Sequence, residues 1–260
     1  MSMNKIILKN DEIQESPFSD HLRSSLESVI NNAFFTRLSN EKISIEGYRF
    51  FIKEKYSAVG SFVNLLENAE RLSKSVSQDL SDEFKANRLD EIGYFAGEIN
   101  PNYNHEEWLM RSLKTFGVDK KDLKGLQLDS SKKHEEITIK LSQSQNTFKV
   151  IGALLFLELF VVYEMKRSIE AFERDLPTIF PKNTYSYDKF PFNTQEYWYG
   201  HALHDTWHFR SIEEPLISFF KKHSKTESEL ESLLDGISEV AKAENSFYSE
   251  LLFEKMKSLS

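Results

Sequence analysis

The sequence predicts an all-α, single-domain bundle of about seven or eight helices, on three observations. Glycine and proline are scarce, 9 and 6 in 260 residues, fewer than sheets and tight turns require. Apolar residues recur at three- and four-residue intervals along most of the chain. No repeat, low-complexity linker or break in composition divides it.

Residues 1–17 read as a flexible lead-in to a helical domain over 18–260. Leu22, Leu26, Ile30 and Phe34 mark a first helix from Ser19 to about Leu38. Ser44 with Glu46 opens a second, through YRFFIKEKYSAVGSFVNLLENAERL to about Leu72. A third spans about Ser77 to Glu98 and must stop near Pro101. A fourth, from Asn104, carries HEEWLMRSLKTF and ends at Gly117, a C-cap residue. Asp129 or Ser130 starts a polar helix, and an apolar one follows from about Thr147 to Leu176. Residues 177–193 hold three prolines and form a long loop. Thr194 caps a helix containing HALHDTWH and kinked at Pro215, and a last amphipathic helix covers about Thr226 to Met256.

Composition removes whole classes of function. The net charge is −8 with no basic block, which argues against nucleic acid and anionic membranes. Cysteine is absent, so disulfides, thiolate metal sites and cysteine nucleophiles are excluded. The N-terminus lacks an apolar run of signal-peptide length, and Val150 to Met165, interrupted by Glu158 and Glu164, is too short to span a bilayer. A cytoplasmic protein is the expectation.

HALHDTWH concentrates three of the seven histidines and one aspartate. At ~100° per residue, His201, Asp205 and His208 fall within about 60° of one another, with His204 at the edge of that face. His201 and His208 stand two turns apart, roughly 10 Å, a spacing that suits two ions better than one. Histidines on a helix are often merely solvated, so this motif needs support from elsewhere. Glu158 supplies some: it lies on one helical face with Val161, Met165, Ile169 and Phe172, where an ionised carboxylate requires a cation, a metal or strong donors. In GEINPNYNHEEW, Glu98 and His105 flank the break at Pro101 and can aim at one point. Glu98, His105, Glu158, His201, Asp205 and His208 together offer three carboxylates and three imidazoles, N/O donors suited to non-haem iron or manganese. The paired Glu-x-x-His signature of ferritin-like bundles is missing.

E98-x6-H105, a glutamate within GALLFLE, and H201-x3-D205-x2-H208, in that order, resemble the haem-oxygenase-like diiron oxidases and oxygenases. The pattern is nearest to the Chlamydia protein associating with death domains. HEEWLMRSLKTFG is similar to the family's His-Pro-Glu-Leu-Trp helix, and YRFFIKEKYSAVGSFVNLL to its second helix; the likeness covers most of residues 18–222. The resemblance implies a haem-oxygenase-like fold, two iron ions (or one manganese and one iron) bound by those six side chains, and dioxygen as cosubstrate. It further implies oxidation of a small organic substrate, an external electron donor and a homodimer as one assembly.

The loop between Glu158 and His201 exceeds the family's usual length, which leaves Glu164 open as an alternative to Glu158. Glu91 stands as the alternative to Glu98, and His204 to a motif histidine. Tyr56, Tyr163 and Trp207 lie near these elements and would line the pocket or pack as ordinary core aromatics. His134 and His223 sit among lysines and glutamates and are expected at the surface. The competing reading is a metal-free binding or cofactor-metabolism protein of the same fold, thiaminase-like or pyrroloquinoline-quinone-synthase-like. Thiaminase-type members use a cysteine nucleophile, and this chain has none. Haem binding through His21 lacks a glycine-rich distal helix.

Overall fold

Thr147 to Asp175 forms one helix of 29 residues, buried at every position from Val150 to Phe160, and the bundle packs around it. A computed structural model describes residues 13–59, 61–119, 121, 128–182, 195–223 and 226–255. Among these, ten α-helices follow in order: α1 Ser19–Ile30, α2 Ala33–Asn40, α3 Ile45–Val59, α4 Phe62–Ser73, α5 Gln78–Glu91, α6 His105–Thr115, α7 Asp129–Ser142, α8 Thr147–Asp175, α9 Glu196–Lys222 and α10 Glu227–Lys255. The all-α expectation holds, with more helices because two expected ones are divided. Asn32 takes extended backbone and its side chain accepts from Phe34 N, capping α2 and ending the first helix early. The second is divided into α3, which ends at Val59, and α4, which begins at Phe62; Gly60 and Thr194 lie outside the described residues.

The third helix also stops sooner than expected. α5 ends at Glu91, and Gly93 turns the chain with φ +74°, where an added Cβ would meet Asn100 O and Asn104 N at 2.6 Å. The chain then makes a small antiparallel hairpin, β1 Tyr94–Phe95 with β2 Glu98–Ile99, before Asn104 caps α6. α9 runs unbroken through Pro215. Of the lead-in, residues 13–17 are described: Ile13 is buried and Gln14 N donates to Glu213 Oε1 at 3.0 Å. No helix among the described residues is long and apolar enough to cross a membrane.

α8 packs most extensively on α10 and then on α9. The α8–α10 contact is made backbone to backbone at two helical glycines: a Cβ on Gly152 would lie 2.1 Å from Leu233 O, and one on Gly236 2.0 Å from Lys149 O. Around this seam the core is ring-rich, with Phe34, Phe35, Phe51 and Phe160 grouped about Tyr248.

Helix propensity alone favours alanine over glycine by about 1 kcal/mol. Here the sign reverses. Gly152→Ala and Gly236→Ala are each expected to cost about 1–3 kcal/mol, because backbone must move to admit the methyl group. Urea denaturation checks this, and unchanged or raised stability would contradict the packing.

Candidate metal centre

Three helices beside α8 carry the site. On α5 the buried positions Leu80, Phe84 and Asn87 continue at the same spacing to Glu91, so the stripe that packs the core ends in a carboxylate. Asp90 and Glu91 occupy the last turn of α5, where the helix dipole disfavours negative charge. α6 opens with His105. Its ring stacks on Trp108 at 4.4 Å, and the Trp108 indole N–H donates to Asn102 O at 2.6 Å. Gly200 on α9 admits that indole, since a Cβ would stand 3.1 Å from it. α9 then supplies His201, Asp205 and His208, all buried on one face.

Ligand atoms of Glu91, His105 and His201 lie within 4.8 Å of one another. His105 Nδ1 is 3.0 Å from Glu91 Oε1, yet it lacks the alignment of a hydrogen bond. Asp90 Oδ2 reaches His208 Nε2 at 3.3 Å and His105 Nε2 at 3.7 Å. Glu158 Oε1 accepts from Asn87 Nδ2 at 2.6 Å. His201 Nδ1 must donate to the Tyr197 carbonyl, which leaves its Nε2 lone pair for the site.

The electrostatics show a deficit of positive charge. Among the described residues no lysine or arginine pairs with Asp90, Glu91, Glu158 or Asp205. Burial pushes Glu158 up to about 7, against the opposing pull of His208 and Asn87. Burial, then the neighbouring Glu158, raises Asp205 well above the usual carboxylate range. Burial and the adjacent His105 depress His201 to about 4, so its ring is neutral. For His105 burial opposes protonation, but Glu91 and Asp90 outweigh it and raise the imidazole.

Five of the six residues expected from sequence, His105, Glu158, His201, Asp205 and His208, are brought to this one region. Glu98 is not. It stands exposed on β2, because the turn at Gly93 carries the hairpin out of the bundle, and Glu91 occupies the position expected of it. Asp90 was not foreseen, although the Asn87–Asp90–Glu91 spacing places all three near one face. Glu164 lies elsewhere, paired with Lys55 Nζ at 2.7 Å, and His204 is exposed. Tyr163 is half-buried, Trp207 is 57% exposed with its ring against His208 at 5.1 Å, and the Tyr56 side chain lies outside the described residues. His223 is exposed as expected, whereas His134 is buried and bound to Glu244. Its helix hides a buried face of small polar residues, Ser131, His134 and Thr138 with Leu141, that does not read as an apolar stripe.

No protein-family model matches the chain, and no curated protein matches it in sequence. Solved structures do resemble it. A CADD-like protein of unknown function from Nostoc punctiforme superposes with a TM-score of 0.66 at 17% identity, over 93% of this chain and 98% of the other. A domain of unknown function with a haem-oxygenase-like fold from Shewanella denitrificans gives 0.66 at 14% identity, over 93% of each chain. A TenA homologue from Pyrococcus furiosus gives 0.62 at 16% identity, over 90% of this chain and 99% of the other. The chain therefore has the haem-oxygenase-like fold.

The raised Glu158 carboxyl fixes a pH dependence for protein stripped of metal. Below pH 4.5 the carboxyl is protonated both folded and unfolded and changes nothing. As pH rises from 4.5 to about 7 the unfolded chain ionises first, so stability falls, by up to about 3 kcal/mol above that window. Glu158→Gln is expected to flatten this part of a stability–pH curve measured in chelator. An unchanged slope would show that Glu158 is not the group responsible.

Proposed function

We propose that the chain is a dinuclear non-haem iron oxidase or oxygenase acting on a small organic substrate, with Glu91, His105, Glu158, His201, Asp205 and His208 holding the metals. The observation that carries this reading is the convergence of four carboxylates and three imidazoles at the junction of α5, α6, α8 and α9, with no lysine or arginine among the described residues paired to those carboxylates. Divalent cations supply the missing charge, and N/O donors without sulfur suit iron or manganese. When bound, an iron pair, or one manganese and one iron, supplies electrons and open positions for dioxygen activation, with an external donor restoring the electrons.

The protein's own groups have separable tasks. The Tyr197 carbonyl fixes the His201 tautomer, and Asp90 orients His208 through Nε2. Glu158, close to half-protonated at neutral pH without metal, gives up its proton when an ion takes its oxygens. A cavity of about 60 Å³ opens beside Glu91, Glu158, His201 and Asp205, walled by Leu157, Val161 and Tyr197. Its size favours a substrate of few heavy atoms, and its apolar walls limit water.

Elemental analysis of tag-free protein from iron-supplemented growth tests the reading. The expected result is about two metal ions per chain, at least halved in Glu91→Gln and His201→Ala but unchanged in Glu98→Gln. Metal-free protein, even after anaerobic reconstitution with ferrous ion, would overturn it.

A further inference from the structure

Of the four carboxylates at the site, Asp90 is the most exposed: its side chain keeps 51% of its surface against 11% for Glu91, and Glu158 and Asp205 are buried. Its Oδ2 nevertheless reaches inward, 3.3 Å from His208 Nε2 and 3.7 Å from His105 Nε2. A third imidazole, the exposed His204 of α9, is near enough for its charge to act on Asp90. One half-exposed carboxylate thus joins a surface histidine to two buried ones.

His204 precedes His208 by four residues, so the two are neighbours on one side of α9, a turn apart. Histidine pairs at that spacing hold divalent ions on other helices. An exposed ring changes rotamer in nanoseconds or less, so His204 can swing to an ion held on Asp90. The ligand atoms that already gather tightly are those of Glu91, His105 and His201, which makes Asp90 with His204 the weaker, temporary hold.

The cavity is a poorer way in for an ion. It touches Glu91, Glu158, His201 and Asp205 but not Asp90, His105 or His208, and Phe62, Leu157 and Val161 wall it. A divalent ion passing those walls sheds water with nothing to replace it, which is costly. At the rim a carboxylate and then imidazoles replace the water lost.

We propose that Asp90 and His204 form an entry site for divalent metal, where an ion lands from solvent and passes on to His208 and His105. Metal then reaches the cluster from the rim, and substrate from the cavity. The inference rests on the proposed function for its destination, and it gives His204 a part in loading without a place among the final ligands.

Stopped-flow mixing of chelator-stripped, full-length protein with cobalt(II), whose visible absorption reports coordination, tests it at about pH 7.5, where an exposed imidazole is mostly neutral. A site on the path but outside the final set changes the rates in both directions equally and leaves the equilibrium alone. His204→Ala is therefore expected to slow uptake roughly tenfold. Release into excess chelator should slow by the same factor, with Kd and the number of ions bound unchanged. His204→Asp, which keeps a ligand, should restore most of the rate. His223→Ala, which removes an exposed imidazole just past the end of α9, should alter nothing.

An unchanged rate in His204→Ala would overturn the inference, as would an equally slow His204→Asp or His223→Ala. Faster release with weakened affinity would overturn it too, since His204 would then be a ligand of the final site. Each of these outcomes, with metal still bound, leaves the dinuclear reading standing. Absence of saturable uptake by the unaltered protein would sink both.

Discussion

Moving an ionised carboxylate into an apolar interior costs several kcal/mol even after the surroundings relax. Where α5, α6, α8 and α9 meet, Glu91, Glu158 and Asp205 lie inside and Asp90 at the rim, with imidazoles as their only cationic partners among the described residues. The fold therefore contains a place that positive charge stabilises, and in metal-free protein protons on Glu158 and Asp205 relieve it. The raised Glu158 and Asp205 carboxyls are two readings of that one constraint, whereas the depressed His201 reflects burial and the neighbouring His105.

α8 makes the constraint possible. Its glycine seam with α10 brings two long helices within backbone contact and leaves little room for rearrangement around it. Six residues separate Glu158 from Glu164, roughly 9 Å along the axis, and they face different surroundings. Among the described residues no lysine or arginine pairs with Glu158, whereas Glu164 receives Lys55. One helix thus sets one carboxylate in the cavity and pairs the other with a lysine that lines the same cavity.

The helical class and most boundaries were legible because burial imposes a 3.6-residue period on apolar side chains. α8 begins at Thr147, capped by Asn146, and α7 at Asp129, where the pattern places it. The breaks at Asn32 and Gly93 were harder to read, since each depends on a local turn that a continuous stripe conceals. The missed turn at Gly93 explains the misplaced Glu98: a helix drawn through it carries the carboxylate seven residues too far. Continuing Leu80, Phe84 and Asn87 by one more step leads to Glu91, so the information was present in the period but not in the motif. His134 was misread for a different reason. A buried face built of serine, threonine and histidine looks solvated unless its partner is known, and Glu244 lies 110 residues away.

Metal uptake by charge compensation implies proton release, because Glu158 and Asp205 must ionise to bind. The most direct measurement is anaerobic calorimetric titration of chelated protein with ferrous ion in two buffers of different ionisation enthalpy. The account expects saturation near two ions per chain with net protons released at neutral pH. Absence of saturable uptake, or uptake that releases no protons, would contradict it.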